Sequence, residues 1–565
     1  MNESVWIFPC IQDEVTRLSL ELGIPLQIAN ILVNRNICDV ESAHKFLYGT
    51  IDDLHDPFLM SGMEQAVNRI KKAVVQKEKI LLFGDYDVDG ILSIVVLLKT
   101  LKFLGLDPDY YIPDRLKEGY GIKEEHIKIV LQRKATLLIS VDSGIKAVKF
   151  VDRAKENGID VIITDHHQPG DSLPDALAIL NPVLKSSGYP DKKLAGIGVV
   201  FKLIQALMMG EKESRELSRY LKFVSIGTIT DVVSLRGENR VFVKFGLKEL
   251  ESISNKGLSS LMEMCSLKRE NITVGDIGFR VGPRINAAGR IGRADLAVEL
   301  FFAETGQRAR ELATELDRLN SKRQKIEEKI YNQAVIKIKE RSIDKHYRLL
   351  LIGSEEWHRG VIGIVASKLK DNFHRPVILF VYKDGKAYGS GRSIREFSLI
   401  ECLNENRKFF INYGGHPMAV GCEVSCENMK SMKEALNAYA KVRLKDEDLK
   451  KKIYIDAKID FNSIDVSFFE NLSLLSPFGV GNPNPLFLAE KVEVAVEPKK
   501  INRKHSKFFV RQDGRIFEAL GWKKGEWADT ICKGDVIDLV FSFQISNYLG
   551  ERKYYLSIED LRKSS

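Results

Sequence analysis

Between Gly84 and Gly90 the chain reads Gly-Asp-Tyr-Asp-Val-Asp-Gly, so Asp85, Asp87 and Asp89 fall within five residues. Carboxylates this close repel one another unless a cation neutralises them. Hard divalent ions such as Mg²⁺ or Mn²⁺ favour oxygen ligands. The run resembles a calcium loop, but the closing glutamate is missing. An apolar run precedes it and an apolar helix follows, which a calcium loop does not show. An exposed acidic turn is the plain alternative. Asp142 stands in Val-Asp-Ser-Gly and alone reads equally as a helix cap. Asp165-His166-His167 adds imidazoles, which shift metal preference toward Mn²⁺. His166 suits a direct ligand, and His167 a phosphate contact or proton donor. Asp165 suits a group that orients an imidazole. Asp231 ends an apolar helical stretch and alone would pass as a helix-end charge. Taken together, Asp87, Asp89, Asp142, His166 and Asp231 offer donors for two metals about 3.5–4 Å apart, which clamp a phosphoryl group for in-line attack. Spacing does not show which residue bridges.

These residues need elements to hold them. Ile80–Phe83, Leu137–Ile139 and Val161–Ile163 are short apolar runs that end at the acidic and histidine motifs. Ile91 to Leu101 reads as a helix between the first two. Continuous apolar strands alternating with helices predict a parallel α/β sheet. Ligands bind beyond the carboxyl ends of such strands. Residues 1–70 look helical without recognisable chemistry. Residues 307–352 contain neither Gly nor Pro, and Leu312, Leu316, Leu319, Ile326 and Ile330 recur at helical spacing. A long connecting helix is the expectation, with an ordinary helical subdomain as the alternative. Leu349–Ile352 and Val377–Val381 predict strands of a second α/β unit, with 361–370 helical between them. The charged stretch 439–452 marks a boundary. Short strands after it, 492–496, 508–511, 537–543 and 554–558, fit an all-β module of the OB type.

Lys plus Arg is 85 and Asp plus Glu 77, a net +8 that suits a polyanionic partner without requiring one. The seven cysteines are scattered with no CxxC pair, as for free thiols in a reducing compartment. Met1-Asn2-Glu3-Ser4 opens no signal-peptide pattern, and no apolar run is long enough to span a bilayer. A cytoplasmic protein with no membrane contact is expected.

The Asp-His-His triplet, with the DYDVDG and VDSG motifs before it and Asp231 after, resembles the DHH phosphoesterase family. Gly414-Gly415-His416-Pro417-Met418-Ala419-Val420-Gly421 looks like the glycine-rich signature of that family's second domain, DHHA1. Val420 departs from it where a second Ala is usual. Gly282–Arg290 and Trp357–Gly363 resemble the RecJ-type exonucleases within the family. The resemblance runs in order from about residue 70 to the C-terminus. Beyond the helical residues 1–70 it implies a DHH domain at 71–235 and a helical region with the connector at 236–345. DHHA1 at 346–445 and an OB-type domain at 450–565 follow. It implies metal ligands Asp87, Asp89, Asp142, His166 and Asp231, with Asp85 close by and His167 at the phosphate. The implied activity is 5′-to-3′ hydrolysis of single-stranded DNA to mononucleotides, in repair and recombination. That polarity comes wholly from the resemblance.

Ser390-Gly391-Arg392 could hold a phosphate, since Arg forks match its oxygens and Ser adds a donor. By resemblance Ser390 and Arg392, helped by Arg115, take the terminal 5′-phosphate, and Arg284 joins the strand-binding set. Tyr120 offers a stacking face; a half-buried loop tyrosine is the alternative. Gly414, Gly415 and His416 would let backbone approach the strand, or form a structural turn. Seven basic residues between Lys499 and Arg515, interleaved with Phe508, Phe509, Phe517 and Trp522, suit a single strand. Some of those phenylalanines are expected in a barrel core. A monomer is expected, with a helicase and a single-strand-binding protein as fitting partners. Two other functions stay open on residues alone: hydrolysis of short oligonucleotides, cyclic dinucleotides or pyrophosphate, and a catalytically silent scaffold.

Overall fold

The computed structural model describes residues 4–8, 13–115, 117–209, 214–548 and 551–564. Met1 to Glu3 and Leu116 therefore lie outside the described residues. The chain divides into two compact units. One comprises residues 55–233 and 242–450, the other residues 1–54, 234–241 and 451–565.

The first unit holds two sheets. Strands β1 (Ile80–Gly84), β2 (Asp109–Tyr111), β3 (Leu137–Val141), β4 (Asp160–Thr164) and β5 (Ala178–Leu180) form a wholly parallel sheet in the order β2-β1-β3-β4-β5. β1 and β3 are buried along their full length, which is why they read as continuous apolar runs rather than alternating ones. The order reverses direction between β1 and β3. That switch point opens a crevice at the carboxyl ends of the two strands, and Asp85 and Asp142 follow those ends directly.

Helix α1 (Val88–Phe103) leaves β1 almost completely buried. It begins three residues before the apolar stretch that predicts it. Asp87 is its cap, accepting a hydrogen bond from Gly90 N–H at 3.1 Å. Asp89 therefore sits in the first helical turn, not in an open loop. Helices α2 (Gly196–Leu207) and α3 (Ser214–Thr230) pack on α1.

Helix α4 (Gly282–Ile291) precedes the connector, α5 (Gly306–Glu340). Thr305 caps α5, accepting from Arg308 N–H. The connector is shorter than the Gly- and Pro-free stretch that predicts it. Ser342 takes a left-handed backbone (φ +49°) just past its end, and the chain turns into the second sheet. Strands β6 (Leu350–Ser354), β7 (Val377–Lys383), β8 (Lys386–Arg392), β9 (Phe410–His416) and β10 (Ala419–Ser425) stand in the order β9-β10-β8-β7-β6. Only the β6–β7 pair is parallel. Helix α6 (Ile362–Phe373) packs on β7 and β8.

In the second unit, β11 (Ala457–Lys458) leads into β12 (Phe487–Ile501), β13 (His505–Gln512), β14 (Arg515–Gly521), β15 (Val536–Tyr548) and β16 (Glu551–Lys563). β12 pairs with both β13 and β15, closing a five-stranded barrel as in an OB fold. The N-terminal stretch, which the sequence presents as one helical region over 1–70, divides near residue 54. Leu18, Ile28, Ile31 and Leu47 share one core with Phe461, Phe487, Phe508 and Phe541 of the barrel. Each such side chain contributes about 1.5–3 kcal/mol on full burial. A strand, Val5–Ile7, also pairs in parallel with Lys452–Tyr454. Arg240 serves the same unit. Its guanidinium lies 3.8 Å from the Phe46 ring centre and donates to the Phe46, Leu474, Leu475 and Ser476 carbonyls at 2.8–3.1 Å.

Candidate metal centre and adjoining groove

The crevice at the β1/β3 switch point gathers the predicted ligands. His166 Nε2 lies 3.1 Å from Asp142 Oδ1, 3.6 Å from Asp231 Oδ2 and 3.9 Å from Asp89 Oδ2. One ligand atom each from Asp85, Asp87 and Asp142 falls within 4.8 Å of the others, and so do Asp89, His166 and Asp231. Asp142 belongs to the first group and approaches His166 of the second, so it stands between them. Its backbone is left-handed (φ +55°), the kind of local strain that concentrates at functional sites. Gly196 at the start of α2 is required here, because a Cβ would come within 2.6 Å of Asp142 Oδ1.

Four ligand atoms in this crevice are buried without a hydrogen-bond partner: Asp85 Oδ1, Asp142 Oδ1, His166 Nε2 and Asp231 Oδ2. Buried polar atoms are seldom left so, and four converging on one space are what oxygen- and nitrogen-ligated cations complete. The electrostatics agree. Burial pushes the Asp85, Asp142 and Asp231 carboxyls well above the usual range, and neighbouring aspartates push them further. Asp89 rises to about 7 through burial and the Asp87 charge, against hydrogen bonds from the backbone of Ile197 and Gly196. Burial lowers His166 to about 4, leaving its imidazole neutral and able to ligate. A bound cation would relieve the carboxylate repulsion.

Asp165 is placed differently. Its oxygens accept from the backbone N–H groups of Ile145, His166 and His167, and Oδ1 lies 2.8 Å from His167 Nδ1. It orients His167 and leaves His166 to the metals. Burial acts to lower His167, but the Asp165 hydrogen bond and the nearby carboxylates outweigh it and hold its pKa above the usual value. The Tyr120 hydroxyl stands 3.0 Å from His167 Nδ1.

Beside this centre lies a groove of about 590 Å³, lined in part by Tyr120, Arg359, Tyr388, Ser390, Tyr413 and Gly414. Arg392 Nη1 reaches Ser390 Oγ at 3.5 Å. Burial and the Arg115 charge lower the Arg392 pKa. Burial, then the charges of Arg115 and Arg323, lower Arg290 to about 10.

Comparison with known proteins agrees with this geometry. Family models match as the DHH family N-terminal domain over residues 79–228, the DHHA1 domain over 345–442 and the RecJ OB domain over 455–560. The single-stranded-DNA-specific exonuclease RecJ of Bacillus subtilis is 40% identical over 553 residues, 97% of this chain and 69% of that protein. The same-named protein of Haemophilus influenzae is 32% identical over 536 residues, 91% and 93% of the two chains. This chain belongs to the RecJ family. The crystal structure of RecJ with Mn²⁺ from Thermus thermophilus superposes with a TM-score of 0.83 at 28% identity, covering 99% of this chain and 80% of that one. A second structure of the Thermus RecJ holds Mg²⁺, with a TM-score of 0.76 at 27% identity over 99% and 79% of the two chains.

The fold of this RecJ-family chain gathers Asp85, Asp87, Asp89, Asp142, His166, His167 and Asp231 at one place, and Tyr120, Ser390 and Gly414 along one groove. Arg115 lies close enough to lower the proton affinity of Arg392, and both lower that of Arg290. Arg284 goes elsewhere. It is bound to Asp317 of the connector at 2.8 Å and to the Arg280 carbonyl, and is not among the groove-lining residues. Gly415 and His416 continue β9 past the groove lining, with His416 exposed. Sequence reasoning passed over Arg290 and Arg359. Both stand inside quoted motifs, Gly-Arg and His-Arg-Gly, but an arginine's role depends on what the fold leaves unpaired around it. Arg359 lies 3.5 Å over the Tyr388 ring in the groove.

Proposed function

We propose that this chain is an exonuclease that hydrolyses single-stranded DNA from the 5′ end and releases mononucleotides, in DNA repair and recombination. The observation that carries this reading is the set of four partnerless buried ligand atoms on Asp85, Asp142, His166 and Asp231, beside an arginine-bearing groove. Asp85, Asp87, Asp89, Asp142, His166 and Asp231 would hold Mn²⁺ or Mg²⁺, which would supply charge neutralisation at the scissile phosphate and a lowered pKa for water. The chain's own residues do the rest. His167, oriented by Asp165, offers an imidazole kept cationic further up the pH scale, suited to pair with a phosphate oxygen or pass it a proton. Arg115, Arg290 and Arg392 crowd positive charge that a terminal phosphate relieves, and Ser390 adds a hydroxyl donor. Fixing that phosphate orders the strand and sets the polarity. Tyr120 and Tyr413 offer ring faces to bases.

Among the described residues no helix is long and apolar enough to cross a membrane, and this activity belongs with DNA in the cytoplasm. A monomer suffices, since every named residue lies on one chain. A helicase that opens duplex ahead of the enzyme and a single-strand-binding protein are the partners such an activity calls for.

The test uses single-stranded DNA with a 5′-phosphate and a 3′ fluorophore, incubated with Mn²⁺, Mg²⁺ or EDTA and resolved on a denaturing gel. Stepwise, metal-dependent shortening of the labelled strand is expected. Early release of a labelled mononucleotide would overturn the polarity. An intact strand in every lane would overturn the activity.

A further inference from the structure

The segment from Ile112 to Gly121 carries Arg115 near one end and Tyr120 near the other. Gly119 and Gly121, on either side of Tyr120, take left-handed backbone angles (φ +79° and +82°), which frees this stretch to pivot. Arg115 lies with its guanidinium 4.8 Å from the Tyr86 ring centre. Glu118 and Gly119 N–H donate to the Asp114 carbonyl at 2.8 and 3.2 Å, which closes a turn, and side-chain ties join that turn to the rest of the fold.

Glu118 makes those ties. Its Oε1 accepts from Asp114 N–H at 2.7 Å. Its Oε2 accepts from the Tyr111 hydroxyl at 2.8 Å and faces His126 Nε2 at 3.0 Å. His126 Nδ1 accepts from Lys123 N–H at 3.0 Å, so the ring proton sits on Nε2 and is donated to Glu118. His126 is 3% exposed. It packs against Phe83 with ring centres 5.1 Å apart, and Phe83 lies on β1 two residues before Asp85. The carboxylate thus spans from the loop to the strand that delivers the metal centre's first aspartate. Both of its oxygens are occupied. Burial acts to raise the Glu118 pKa, but these donors hold it below the usual value, keeping it charged and bound.

Resting on the reading of Arg115 above, we propose that Glu118 is a positioning residue. Held by Tyr111 and His126, it sets the part of the loop that presents Arg115 to the 5′ end of the strand. It acts through Arg115 and does not itself bind the phosphate. A glutamine in its place offers a single acceptor oxygen to the three donors, so the loop loses its fixed position while charge elsewhere is kept.

The test compares wild type, Glu118→Gln, Arg115→Ala and the double variant in full-length protein with Mn²⁺, on strands with a 5′-phosphate or a 5′-hydroxyl. Glu118→Gln is expected to raise KM for the phosphorylated strand on the order of tenfold with kcat little changed, and to leave KM for the hydroxyl strand nearly unmoved. In the Arg115→Ala background the same change is expected to cost almost nothing further, since the two act as one unit. Amide exchange over 114–121 should quicken in Glu118→Gln while the melting temperature holds. Equal KM increases on both strands, or additive losses in the double variant, would overturn the proposal. If wild type degrades neither strand, the functional reading itself falls. If wild type degrades them and Glu118→Gln matches it on both, only this inference falls.

Discussion

Buried arginines occur in both units, and their surroundings differ. In the barrel unit, Arg240 has its proton affinity lowered to about 9 by burial and then by the Arg35 charge, yet its guanidinium is taken up by four backbone carbonyls and one ring face. Arg35 likewise binds the Asn482 side chain and the Pro483 carbonyl. In the catalytic unit, Arg290 is brought to about 10 for the same first reason, but the hydrogen bond described for it goes to the Gly360 carbonyl. Apart from the Asp87 charge, the groups that act on it are further cations, Arg115, Arg323 and Arg392. A buried ion whose donors are filled by its own chain holds structure. One set among several cations, with a single carbonyl to take its donors, waits for a ligand.

The sharpest way to break this comparison lies in the carboxylates, where the same logic runs with opposite charge. Asp142→Asn should lower turnover of single-stranded DNA at least a thousandfold (about 4 kcal/mol or more), while the metal-free protein melts no lower than wild type. A clear fall in melting temperature would mean that the cluster is structural. Next comes Arg240→Ala, which leaves buried carbonyls without donors. It should cost about 3–5 kcal/mol of stability, read as a shift in denaturant midpoint. A loss below about 1 kcal/mol would deny that Arg240 is a structural ion. Arg392→Gln should raise KM for 5′-phosphorylated strands about tenfold to a hundredfold, the loss of a charge-assisted phosphate contact, with stability within about 0.5 kcal/mol of wild type. Arg284→Ala should be the mildest. It removes a partly exposed ion pair with Asp317, worth about 0.2–1 kcal/mol, and KM should move less than about threefold.

Much of the site was legible because its residues are tied to local pattern. Asp85, Asp142 and His166 each follow a continuous apolar run, and a buried parallel strand needs such a run whatever surrounds it. The connector's helical period showed in the sequence, though not whether it joins two units, and the barrel strands showed as short apolar segments. What was not legible depends on tertiary partners. Arg284 and Arg290 stand in one motif, and only the fold gives Asp317 to the first and a crowd of cations to the second. Asp165 reads from sequence as a group that orients an imidazole, and the fold shows which one, His167, with three backbone N–H groups filling the rest of the carboxylate. The segment 234–241 straddles the expected boundary between the DHH domain and the helical region, yet Leu235 N–H donates to the Val480 carbonyl and Arg236 to that of Gly481. No periodicity encodes so distant a partner.

The core shared by Leu18, Ile28 and Leu47 with Phe487 and Phe541 also bears on how the protein is made. Roughly 400 residues separate the two halves of that core. At about 5–20 residues per second of ribosomal synthesis, the helices wait some 20–80 s for the barrel that covers them. Through that interval their apolar face is open to other nascent chains. Heat or a chaperone shortage during translation should therefore trap this stretch before the catalytic sheet, whose strands lie close together in the chain and pair as they emerge.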